Sequence, residues 1–180
     1  MLRNAVLSSL LLSVLLLVGC GRAREAQQGA QVGRQLQQKG EATIKTDEGE
    51  VQIKTDKAGE QTTITVEDES GEKHSVTVGE DLDTSELSLA IYPGAAQQGG
   101  QTTDTGAGKH LSFVFTTTDS FEKVADFYRG KYPDANISDI KIPDGRLLNI
   151  VIAEPPNMTS VAVQQADDED KVTIVLTEQK

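Results

Sequence analysis

Glu41-Ala42-Thr43-Ile44-Lys45-Thr46, Glu50-Val51-Gln52-Ile53-Lys54-Thr55, Gln61-Thr62-Thr63-Ile64-Thr65-Val66 and Lys73-His74-Ser75-Val76-Thr77-Val78 are four variants of one pattern. In each, apolar residues stand two apart: Ala42/Ile44, Val51/Ile53, Ile64/Val66 and Val76/Val78. That spacing puts each pair on one face of a β-strand. Asp47-Glu48-Gly49, Asp56-Lys57-Ala58-Gly59 and Asp68-Glu69-Ser70-Gly71 separate the units. Short connections rich in Asp and Gly favour hairpins. Residues 40–79 are therefore expected to form a four-stranded antiparallel β-meander with one apolar face.

Downstream, the periodicity changes. Leu111, Phe113 and Phe115 alternate as a strand, and Phe121, Val124, Ala125 and Tyr128 follow at helical spacing. Asp119 is the expected N-cap, with Glu122 three residues on completing a capping box. Gly130 is expected to end the helix, and Pro133 to prevent its continuation. Strands are expected at about 136–142, 146–153, 160–165 and 171–177, with turns at Asp144-Gly145 and Asp167-Asp168-Glu169-Asp170. Residues 80–90 carry Leu82, Leu87 and Leu89 and form a connector that docks on the domain downstream. Gln97 to Lys109, rich in Gly, Gln and Thr, is expected to be a mobile loop. The expected fold class is α+β: a meander, then a domain at 80–180 with one helix packed on an antiparallel sheet.

The start of the chain is of another kind. Arg3 precedes an almost wholly apolar run from Ala5 to Val18. That run suits a secretory signal and falls short of the roughly 20 residues that span a bilayer. Cys20 is the only cysteine, so neither an intrachain disulfide nor a thiolate metal cluster is possible. Leu17-Val18-Gly19-Cys20 resembles the lipobox of bacterial lipoproteins. The resemblance implies cleavage between Gly19 and Cys20, a diacylglycerol thioether on Cys20 and acylation of its new amine. The expected organisation is a signal peptide at 1–19, a lipidated cysteine with a Gln-rich tether at 20–39, the repeat unit at 40–79 and the domain at 80–180. In Gram-negative lipoproteins of this type an Asp after the cysteine favours the inner membrane. Gly21 stands there, which implies the outer membrane.

The charge is uneven. The chain carries −11 overall, and residues 40–180 hold 12 basic against 27 acidic residues. So acidic a body is expected to avoid nucleic acid and anionic lipid. The expected attachment is to the bilayer through Cys20, with another envelope protein or a small ligand as partner.

Ile91-Tyr92-Pro93-Gly94-Ala95, the Thr-rich strand ending Phe115-Thr116-Thr117-Thr118-Asp119-Ser120, and Val124-Ala125-Asp126-Phe127-Tyr128 together resemble a module of bacterial envelope lipoproteins. The resemblance covers roughly residues 82–177. It implies a fold and an envelope setting but no activity, so Tyr92 and Tyr128 are expected to be packing anchors.

Residues able to carry chemistry are sparse. His74 and His110 lack a second histidine, a cysteine ligand or a sequence-near carboxylate pattern, so no zinc site is read. Gly99-Gly100 and Gly106-Ala107-Gly108-Lys109-His110 lack the full phosphate-loop pattern. Asp167–Asp170 lacks the alternation of a calcium loop and is expected to be a solvated hairpin tip, as is Asp68-Glu69. No catalytic, cofactor or metal residue is assigned. The expectation is a non-enzymatic envelope module, with two alternatives: a hydrolase with a cleft between the two units, or a calcium-responsive surface protein.

Overall fold

The computed structural model describes residues 32–46, 49–56, 59–153 and 157–180. Ten strands form one antiparallel sheet: β1 Glu41–Thr46, β2 Gly49–Thr55, β3 Gln61–Asp68, β4 Lys73–Gly79, β5 Ala96–Asp104, β6 Lys109–Thr117, β7 Asn136–Ile142, β8 Gly145–Ala153, β9 Thr159–Ala166 and β10 Val172–Gln179. Their order across the sheet is β1-β2-β3-β4-β5-β6-β10-β9-β8-β7. Among the described residues two helices accompany it: α1 at 32–39 and α2 at Phe121–Lys131. The fold is thus dominated by antiparallel sheet, and its first four strands are the expected meander.

Two expectations fail. Gln97 to Lys109 is not a loop: most of it is β5 and the start of β6. The strand is hard to see because Gly99 and Gly100 replace side chains at its centre. A Cβ on Gly100 would lie 2.7 Å from Phe113 Cδ1 and 3.1 Å from the Ser112 carbonyl oxygen. Phe113 therefore occupies the space that a residue-100 side chain would need.

The second concerns the ends of α2. Ser120, not Asp119, is its N-cap, accepting a 3.4 Å hydrogen bond from the Lys123 amide. Asp119 is drawn elsewhere: its carboxylate accepts from the Tyr92 hydroxyl at 2.7 Å and from Lys123 Nζ at 2.9 Å. Gly130 lies inside the helix, which runs to Lys131 with Tyr132 as its C-cap.

Register identifies the two faces. Ala42, Ile53, Ile64, Val76, Thr103 and His110 are successive cross-strand partners. Their side chains share one face, because directly opposed residues in antiparallel strands point the same way. Val32 and Leu36 of α1 cluster with Ala42, Ile44, Val51, Ile53 and Ile64, so this is the α1 face. Thr63, Thr77, Thr102 and Leu111 are successive partners on the other face. There Leu111, Phe113, Phe115, Ile174 and Leu176 join Phe121, Val124, Ala125 and Tyr128 in the main core, making it the α2 face. The two apolar layers therefore lie on opposite faces of one sheet.

The connector at 80–90 belongs to the larger core: Leu82 and Leu89 are buried in it, and the partly buried Leu87 packs against it. Its polar groups are held as well. The Ser88 amide and hydroxyl both donate to Glu178, at 2.8 and 2.7 Å. Gln97 Nε2 donates to the Leu82 carbonyl at 3.2 Å, and the Ala90 amide donates to the Tyr132 hydroxyl at 2.8 Å.

Candidate functional site

Three surfaces merit a chemical reading. The first is the part of the α1 face beyond α1. Across it run two rows of cross-strand partners. One is Val78, Gln101, Ser112, Thr177, Ser160 and Val151. The other is Val114, Val175, Ala162 and Asn149. Each of these residues except Gln101 is half-buried, and Gln101 is exposed. Valines alternate with hydroxyls and amides, so the surface offers apolar area and hydrogen-bonding groups together. A shallow concavity of about 390 Å³ opens there, lined by Gln98, Gly99, Gly100, Gln101, Ser112 and Val114. Its floor is low where glycine stands for a side chain. No charged group lines it, so it suits contact rather than proton transfer.

The second is at the β3–β4 hairpin. One ligand atom each from Asp68, Glu72 and His74 lies within 4.8 Å of the other two. No sequence-near carboxylate pattern is expected beside His74, yet two carboxylates meet it in the fold. The hairpin turn folds Asp68 and Glu72 back toward the imidazole, with Glu72 Oε1 4.0 Å from His74 Nε2. The turn itself is built by Asp68. Its Oδ1 accepts from the Ser70 amide at 2.9 Å, the Ser70 hydroxyl at 2.7 Å and the Glu72 amide at 3.0 Å. The Ser70 hydroxyl and the Glu72 amide, with smaller help from His74, hold this carboxyl below the usual carboxylate range. One imidazole nitrogen and two carboxylates form a ligand set that a divalent transition metal accepts. Calcium takes six to eight oxygens, more than these groups supply. Asp68 Oδ1 already has three donors, which accounts for the arrangement as turn chemistry.

The third is the aromatic group under α2. Tyr92 is buried and meets Phe127 edge-on at 5.2 Å between centroids. Burial, and then the Asp119 carboxylate, raise its phenol above the usual range. Tyr128 is fully buried and meets Phe127 edge-on at 5.0 Å. Its hydroxyl has no hydrogen-bond partner of good geometry. Burial drives its phenol far up, opposed only by the nearby Tyr92 amide. Both tyrosines are packing residues in this arrangement.

The other singled-out residues are scattered. Cys20 and Gly19 lie outside the described residues. His110 is half-buried in β6, opposite Thr103 and Gln179, and away from the hairpin that carries His74. Asp167–Asp170 is an exposed turn between β9 and β10. Gly106 packs against Glu72, whose Oε1 would lie 2.8 Å from an added Cβ.

Glu178 was not singled out by sequence reasoning. It is the one buried charged residue among those described. Burial alone would raise its carboxyl, but the two Ser88 hydrogen bonds and Lys180 prevail and lower it. A signal was available: Glu178 continues the Val172-Ile174-Leu176 alternation and so belongs to the core-facing side. No described helix is long and apolar enough to cross a membrane. Comparison of the chain with protein-family models, with curated proteins and with solved structures gives no match.

Proposed function

We propose that this protein is a lipid-anchored, non-enzymatic module of the bacterial envelope that binds another envelope protein through the open part of its α1 face. The anchor reading rests on Leu17-Val18-Gly19-Cys20 after an apolar run of signal length. A single acyl chain holds a protein only marginally, whereas several on one residue hold it durably. The half of the sheet beneath α2 is read as the α+β unit that its Tyr92-Pro93-Gly94 and Phe127-Tyr128 motifs resemble.

One observation carries the binding reading. Val78, Val114, Val151 and Val175 stand half-buried on one sheet face, interleaved with Ser, Thr and Gln. Protein-contact surfaces mix apolar and neutral polar groups in this way and are poor in charge. A photo-crosslinking residue at position 114, in intact cells, should capture a discrete protein, and one at Lys54 on the opposite face should not. Equal yields would remove the surface reading. In the same cells palmitate should label the unchanged chain and not the Cys20→Ala chain. Label surviving that change would remove the anchor.

A further inference from the structure

The two edges of the sheet are treated differently. At β1 the buried Ala42 and half-buried Ile44 cluster with α1. At β7 every residue is exposed, including Ile137 at 36 %, Ile140 at 46 % and Ile142 at 42 %. Among the described residues β7 pairs only with β8, so its outer edge offers backbone N–H and C=O groups without a strand partner there. Charges on an edge usually discourage pairing, and β7 has two, Asp139 and Lys141. Their placement gives the opposite result for one partner.

Along an antiparallel strand, the residues whose N–H and C=O point outward alternate. A strand pairing with its own copy about a two-fold axis must therefore be centred on a residue. Centring on Asp139 sets Asp139 against its own copy, and centring on Lys141 sets Lys141 against its own copy. Centring on Ser138 leaves both charges facing neutral residues or nothing. Centring on Ile140 sets Asp139 opposite Lys141 of the second copy, twice by symmetry, and Ile140 opposite Ile140. Opposite charges directly across a ladder stabilise it, and like charges destabilise it.

We propose that β7 is a self-association edge: two copies of this chain pair β7 to β7, antiparallel, with the two-fold axis at Ile140. The interface is isologous, and joining the edges makes one continuous sheet across both copies. Lys141 forms no ion pair among the described residues, so it is free to meet Asp139 of the second copy. Asp139 already accepts from Arg129 at 2.7 Å, and Arg129 also reaches Asp126 at 3.2 Å. The incoming lysine would extend that network. Ile140 and Ile142 lie on the other side of the ladder and cover one another's flanks. The β7 edge borders the open α1 face, whose rows end on β8 at Val151 and Asn149, but pairing there uses the outer backbone edge and not that face, and the proposal does not rest on the anchor.

The test uses the full chain in density-matched detergent. Sedimentation equilibrium should give a dimer. Lys141→Asp should weaken dimerisation about tenfold, because two like-charge contacts replace two opposite ones. The Asp139→Lys, Lys141→Asp double variant should restore it. Ile140→Cys should form an interchain disulfide under mild oxidant, and Ser138→Cys should form far less. The unchanged chain, with Cys20 alone, is the blank. Circular dichroism confirms that each variant is folded. A monomer at all concentrations, a dimer indifferent to Lys141→Asp, a double variant no tighter than the single, or equal disulfide yields at 138 and 140 would each overturn the proposal. Failure here leaves the crosslinking result at position 114 unaffected, so the two readings fall separately.

Discussion

In β1–β4 the isoleucines and valines face α1, while Thr43, Thr63, Thr65 and Thr77 face the other way. In β6, β10, β9 and β8 the arrangement is reversed: Phe113, Ile174, Val163 and Leu148 point to the α2 side and Val114, Val175 and Ala162 to the α1 side. The hydrogen-bonded ladder is continuous between these halves, and only the apolar layer changes side. The exchange occurs at β5, whose Gly100, Gln101, Thr102 and Thr103 commit neither face to a core. A strand at such a point has no reason to alternate, since no single face of it is buried. The comparison teaches that a backbone ladder and a hydrophobic core need not share boundaries. The two layers also differ in size. Among the described residues, the α2 core gathers 17 buried residues and the α1 cluster three.

The sharpest way to break the comparison is to cut one side chain from each layer. Ile174→Ala should cost about 4 kcal/mol and Ile53→Ala about 2 kcal/mol, because a fully enclosed site collapses less around a lost side chain. Urea unfolding of the two variants measures the difference. Equal losses would show that the α1 cluster is as consolidated as the α2 core.

Next in size is Glu178, which fastens the connector to β10. Glu178→Ala should cost about 2 kcal/mol, the range for hydrogen bonds to a charged group. Its carboxyl is lowered from 4.5 in the folded protein, so it binds protons less readily than in the unfolded chain. Its contribution is therefore present above that unfolded value and lost as pH falls through the lower, folded one. The unchanged chain should lose more stability on acidification to pH 3 than Glu178→Gln, measured by thermal unfolding. Parallel curves would remove Glu178 as a source of acid sensitivity.

The smallest effect has the opposite sign. Tyr128→Phe removes a buried hydroxyl that lacks a good partner, while keeping the ring against Phe127 and Tyr132. It should stabilise the α2 side by about 1 kcal/mol. A destabilised variant would mean that the Tyr92 amide forms a stronger bond than its geometry indicates.

These residues also show how far the sequence could be read. The meander was legible because Ala42/Ile44 through Val76/Val78 keep strict period two and Asp-Gly turns separate them. The stripe of α2 was legible for the same kind of reason at period 3.6. Its cap was misplaced by one residue because Asp119 and Ser120 both suit the position. The choice fell to Tyr92, distant in sequence, which engages Asp119. β5 was missed because its composition is that of a loop, and only Phe113 across the ladder explains its glycines. The Asp68, Glu72 and His74 grouping was missed because a turn, not a linear motif, brings it together. Cys20, the most specific sequence signal, belongs to a part of the chain that the described structure does not include.

The strand order also bears on how the chain acquires its structure. Every pairing in the sheet joins neighbours in sequence except β6 with β10. β1 to β6 can zip up hairpin by hairpin, and so can β7 to β9, each at low loop-closure cost. Leu111, Phe113 and Phe115 gain their partners Glu178, Leu176 and Ile174 only when β10 enters between β6 and β9. Until then two partial sheets exist, each with an open edge and an uncovered greasy side. Contacts between residues far apart in sequence form slowly, so this insertion should govern the folding rate. Until β10 is in place the chain would wait half-assembled, and a chaperone that shields the β6 edge would act in that interval.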